Sequence, residues 1–130
     1  MSEKIRPTEL ETRVMDIILK GDDPVRKILR AQWKNCEIRD REYSGTGFFL
    51  DFDVSDDFPK LKENKNLEIS TDENGLDIVV NIHGVEHGIG FVLFVRDGMI
   101  HWLEGFTFAG ENLPDTISDF QLERVRIPRV

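Results

Sequence analysis

One stretch, Gly88 to Phe108 (G-I-G-F-V-L-F-V-R-D-G-M-I-H-W-L-E-G-F-T-F), does most to narrow what this chain can fold into. At its middle stands Arg96-Asp97-Gly98-Met99, a two-residue hairpin signal. Both central residues of such a turn need positive φ, which glycine adopts freely and aspartate tolerates. The flanks read as two strands. In the first, Ile89, Phe91, Leu93 and Val95 line one face, and Val92 and Phe94 line the other. A strand apolar on both faces belongs at the centre of a sheet, covered on both sides. In the second, simple alternation puts Glu104 on a face with Ile100, Trp102 and Phe106. A carboxylate there is costly unless it is solvated at a rim or hydrogen-bonded, for instance by the loop from Thr107 to Asn112.

Upstream the periodicity is helical. Thr8 and Glu11 form a capping box, and Leu10, Val14, Ile17 and Ile18 recur on one stripe until Gly21. Asp22 or Asp23 caps a second helix with Pro24 in its first turn, and Val25, Ile28, Leu29 and Trp33 form its apolar stripe. Arg26, Lys27, Arg30 and Lys34 give that helix a basic, solvated side.

From Glu37 the period falls to two. A charged edge strand runs to Tyr43, Ser44-Gly45-Thr46-Gly47 turns the chain, and Phe48, Leu50, Phe52 and Val54 alternate against Phe49, Asp51 and Asp53. A polar, mobile loop covers Ser55 to Asn66. Leu67–Ile69, Leu76–Ile82 after the Asn74-Gly75 turn, and Phe120–Ile127 read as further strands, the last ended by Pro128. The expected fold is α+β over residues 1–130 as a single domain. Two N-terminal helices pack on a mostly antiparallel sheet of about five to seven strands.

Charge then limits the partners. Residues 1–41 carry 10 Lys/Arg against 8 Asp/Glu, whereas residues 42–130 carry 7 against 17. So acidic a sheet repels phosphate backbones, which argues against nucleic acid and favours a basic protein partner. No apolar run has the ~20 residues of a membrane helix, and the first residues lack a secretory apolar region. With Cys36 as its one cysteine, the chain has no disulfide framework and is expected in the cytoplasm.

Candidate chemistry is sparse. His83-Gly84-Val85-Glu86-His87 has the letters H-x-x-E-H of a zinc-peptidase helix, but Gly84 and Gly88 place it between strands, where both imidazoles do not share a helical face. His101 and Glu104, three apart on a strand, point to opposite faces. Asp51 and Asp53 share a face and, with Asp56 and Asp57, form an acidic ridge suited to a partner surface. Cys36 lies beside Lys34 and Arg39, which lower a thiol's pKa, yet no histidine is near in sequence. No metal or cofactor is expected. A small enzyme or ligand-binding protein, with a pocket formed by His83, Glu86, His87, His101 and Glu104, is the alternative to a binding protein.

The Gly88–Phe108 run, with Leu113-Pro114-Asp115-Thr116-Ile117 and the earlier Ser44-Gly45-Thr46-Gly47-Phe48-Phe49, resembles a set of small bacterial proteins sharing a hairpin that leads into L-E-G-F/Y-T-F/Y. The resemblance spans residues 28–123. Such acidic α+β proteins are similar to immunity proteins of bacterial toxin systems, which implies binding and blocking of a toxin and carries over no catalytic residue. Finally, two helices cover only one face of such a sheet. The uncovered apolar set, with Phe94 and Trp102, leads to an expected homodimer interface unless the sheet curls or the Ser55–Asn66 loop folds over it. A homo-oligomeric structural protein is the third class this leaves open.

Overall fold

The computed structural model describes residues 4–127. Helix α1 (Glu9–Ile18) begins with the capping box: the Thr8 hydroxyl accepts the Glu11 amide at 3.1 Å and the Glu11 carboxylate accepts the Thr8 amide at 2.8 Å. Leu10, Val14, Met15 and Ile18 are buried. Glu11 is 2% exposed and also receives Arg41 through two bonds, at 2.6 and 2.8 Å. That bidentate pairing satisfies a carboxylate that would otherwise be costly to bury.

Helix α2 (Pro24–Asn35) starts where the Asp23 carboxylate accepts the Arg26 amide. Its basic side is only partly solvated. Arg26 donates to the Ile18 carbonyl at 3.0 Å, and Arg30 donates to those of Leu19 and Gly21 at 2.6 and 3.0 Å. These guanidiniums satisfy carbonyls at the end of α1, so that helix ends at its Leu19 cap, ahead of Gly21. Gln32, outside the expected apolar stripe, is fully buried. Its side-chain amide donates to the Pro59 and Gly98 carbonyls at 2.9 and 3.0 Å and its oxygen accepts the Ile100 amide at 2.9 Å.

Seven strands follow: β1 (Glu37–Tyr43), β2 (Gly47–Asp53), β3 (Leu67–Ile69), β4 (Asp77–Ile82), β5 (Val85–Arg96), β6 (Met99–Thr107) and β7 (Gln121–Val125). They form one antiparallel sheet in the order β1-β2-β6-β5-β4-β7, with β3 also paired to β5. The fold is α+β, as the periodicity predicts, with β5 central and β1 and β7 at the edges. Pro128, expected to end β7, lies outside the described residues.

The central hairpin differs from simple alternation in two ways. Strand β5 reaches back to Val85, so Glu86 and His87 are strand residues; the Glu111 carboxylate accepts their amides at 2.8 and 3.2 Å. In β6, Phe94 faces Trp102 while Val95 faces Ile100, which leaves His101 as a bulge. The extra residue turns Ile100 onto the helix side, where it is 2% exposed, away from the face of Trp102 and Phe106.

The Ser55–Asn66 loop is anchored rather than free. Leu61 donates to the Gly98 carbonyl at 3.0 Å, Gly98 donates to that of Lys65 at 2.8 Å, and Asp97 donates to the Asn66 side chain at 2.9 Å. Gly98 is needed twice over: its φ is 78°, and a Cβ there would lie 2.6 Å from the Leu61 carbonyl oxygen. The loop is thereby tied to the β5–β6 turn and α2, and Leu61 joins the core. That core unites the α1 and α2 stripes with Phe48, Leu50, Ile89, Phe91, Leu93 and Leu103, among others, from one face of the sheet. Among the described residues no helix is long and apolar enough to cross a membrane.

Candidate functional site

Among the described residues the opposite face of the sheet carries no helix, and strand register determines what is exposed there. Because residues directly opposite one another share a face, three rows can be traced across the strands. Phe49, Glu104 and Val92 make one; Asp51, Trp102, Phe94 and Glu68 the second; Phe106, Gly90, Val79 and Glu123 the third. At the β1 edge, Glu42 and Asp40 extend the first two rows opposite Phe49 and Asp51. The result is an aromatic stripe along β6 and β5 with carboxylates towards both sheet edges.

The rings shield one another only in part. Phe94 and Trp102 stack at 4.3 Å with their planes 15° apart, and the Arg96 guanidinium lies 5.3 and 5.4 Å from the two ring centres. Phe106 and Phe108 meet edge to face at 5.4 Å. They lean over Gly90, where a Cβ would lie 2.7 Å from Phe106 and 2.8 Å from Phe108. Phe49, Val92, Phe94, Trp102 and Phe106 stay partly accessible, and Phe108 is 44% exposed. The stripe therefore differs from the buried Phe91 and Leu103 on the other face of the same strands.

Glu104 sits half-buried inside this stripe. Burial pushes its carboxyl above the usual range. Among the described residues it has no hydrogen bond or ion pair. The loop expected to anchor it is engaged elsewhere: the Thr107 hydroxyl donates to the Glu111 carbonyl at 2.7 Å, and the Glu111 carboxylate holds the start of β5. Those two amide bonds keep the Glu111 carboxyl below the usual range.

The structure separates the other sequence candidates. Asp51 and Asp53 lie on the helix-free face, and Asp56 and Asp57 follow in the next turn, with Asp56 3.9 Å from Lys60. His83 is in the β4–β5 turn, and Glu86 and His87 open β5; all three are exposed. Glu104 pairs with Val92 and His101 bulges beside Phe94, so at ~3.3 Å per residue they stand roughly 16 and 25 Å along the sheet from His87. The expected shared pocket is not formed, because these residues lie at successive levels of one long hairpin. The H-x-x-E-H letters lie on a hairpin rather than a helix, and among the described residues no three His, Cys, Asp or Glu gather as a metal site would need.

A cleft of about 720 Å³ opens elsewhere, between the N-terminal segment, the end of α2 and β1. Trp33 and Cys36 line it, with four cations, Lys4, Arg6, Lys34 and Arg39, and one carboxylate, Glu37, which pairs with Lys4 at 3.3 Å. The cations do not activate the thiol. Burial pushes Cys36 up to about 11, and its Sγ donates to the Trp33 carbonyl. The molecule is thus basic at this cleft and acidic across the helix-free face.

Comparison with protein-family models, curated proteins and solved structures finds no match. The helix-free face is therefore read on its own chemistry. Sequence reasoning found Asp51 and Asp53 but missed Asp40, Glu42, Glu68 and Glu123 as their companions. The signal that places those residues is strand order, which brings together positions far apart in the chain.

Proposed function

We propose that this chain is a non-enzymatic binding protein of immunity type, which docks a basic protein, such as a toxin, on its helix-free face. One observation supports this reading above the rest: an aromatic stripe left partly open and bordered by carboxylates on both sides. Aromatic side chains offer large, rigid contact area, and peripheral charge steers an oppositely charged partner. A second copy of this chain suits the face less well, since it would set carboxylate rows against carboxylate rows. The expected homodimer is thus the competing outcome of the test.

A photo-crosslinking residue at position 102 and, separately, at the exposed Lys27 of α2 tests this in the native cell. Position 102 should capture a defined basic protein that Lys27 does not. Changing Asp51 and Asp53 to Asn should slow the association of that protein with purified chain, most of all at low salt. Equal capture at both positions, or capture at 102 of this chain alone, would refute the reading.

A further inference from the structure

Resting on that reading of the face, we propose that Glu104 and the rings around it form a receptor for one arginine side chain of the partner. Three observations meet at this point. Glu104 is half-buried and has no partner among the described residues, and a carboxylate partly withdrawn from water gains from a cation or hydrogen-bond donors. Register places Phe49 directly across from it on β2, and Trp102 and Phe106 flank it along β6. The same surface already accepts this chemistry within the chain, where the Arg96 guanidinium lies over Phe94 and Trp102.

Arginine fits better than lysine at this position. A planar guanidinium covers an aromatic ring with one face while its edge donates two parallel bonds to a carboxylate. An ammonium makes the charge contact without that fork and is more strongly hydrated. The aromatic stripe would then provide the contact area, the outer carboxylates the attraction at a distance, and Glu104 the choice of side chain.

The test follows the Glu104 carboxyl and the Trp102 indole by NMR while adding an acetylated, amidated Ala-Arg-Ala peptide, or its citrulline and lysine counterparts. The arginine peptide should shift both signals and lower the Glu104 titration midpoint. Citrulline should do neither, and lysine should bind more weakly. In Glu104→Gln, which keeps shape and removes charge, arginine-peptide affinity should fall at least about tenfold. Asp51→Asn with Asp53→Asn should cause a smaller, salt-dependent loss.

Binding that survives Glu104→Gln but fails in the Asp51/Asp53 variant overturns the arginine receptor and leaves the acidic docking face standing. Loss in Glu104→Gln with no effect of the Asp51/Asp53 variant supports the receptor and counts against the carboxylate rim. No shift in the wild type at millimolar peptide contradicts the receptor outright.

Discussion

The two faces of this sheet share the same strands and differ in what they give up to water. On the helix side Phe91, Leu93 and Leu103 are at most 1% exposed, and Phe91 meets Phe48 edge to face at 6.1 Å. On the other side Phe94, Trp102 and Phe106, their neighbours in sequence, remain half-covered. A strand apolar on both faces need not be covered on both by its own chain. In this sheet one face holds the fold together, and the other presents rings and carboxylates together.

Substitution should separate the two roles. Phe91→Ala removes a fully buried ring and should cost about 3–5 kcal/mol in urea unfolding. Trp102→Ala, although the larger truncation, should cost only about 1–2 kcal/mol, mostly its stack on Phe94. Similar losses at both positions would mean that the second face is also core.

A middle-sized effect is expected where α2 closes the covered side. Gln32→Ala leaves the Ile100 amide and the Gly98 and Pro59 carbonyls without their side-chain partner, and should cost about 2–3 kcal/mol. It should also speed amide exchange at Ile100. A change below about 0.5 kcal/mol would mean that water replaces these bonds.

That residue shows where reading from sequence stops. The capping box, a cap at Asp22 or Asp23, the Asp97-Gly98 turn and the alternation of β2 were legible because each depends on residues a few positions apart. Gln32 had no place in the apolar stripe read from sequence, since its partners lie in a loop and a strand far along the chain. Arg26 and Arg30 looked solvated because the helix end they cap belongs to another element. The His101 bulge is invisible to a strict two-residue period, and it alone decides that Ile100 is core while Trp102 is not. The acidic ridge was half legible for a similar reason. Asp51 and Asp53 are near in sequence, whereas Glu104, Glu42 and Glu68 join their face only because β6 lies between β2 and β5.

The smallest stability effect belongs to Glu104. Its folded-state pKa is raised, so relative stabilisation is present below the unfolded value and lost as pH rises through the folded one. At pH 7 the ionised group therefore weakly disfavours the fold. Glu104→Gln should be neutral to stabilising there, by no more than about 0.5 kcal/mol for so accessible a group. The advantage should vanish near pH ~3.5, where the carboxyl is protonated in both states. A clear destabilisation at pH 7 would mean that Glu104 has a structural partner after all.

The contrast between the faces can be measured most directly with the chain's two tryptophans, since Trp102 lies on the helix-free face and Trp33 in the basic cleft. In Trp33→Phe, quenching of Trp102 at matched low ionic strength, with each ion scaled to its effect on free N-acetyltryptophanamide, should favour caesium over iodide, the surrounding carboxylates outweighing the single Arg96 beside the ring. In Trp102→Phe, Trp33 should show the reverse preference. If Trp102 resists both ions, or on that scale yields more readily to iodide, the helix-free face is either covered or not acidic, and it is no docking surface for a basic partner.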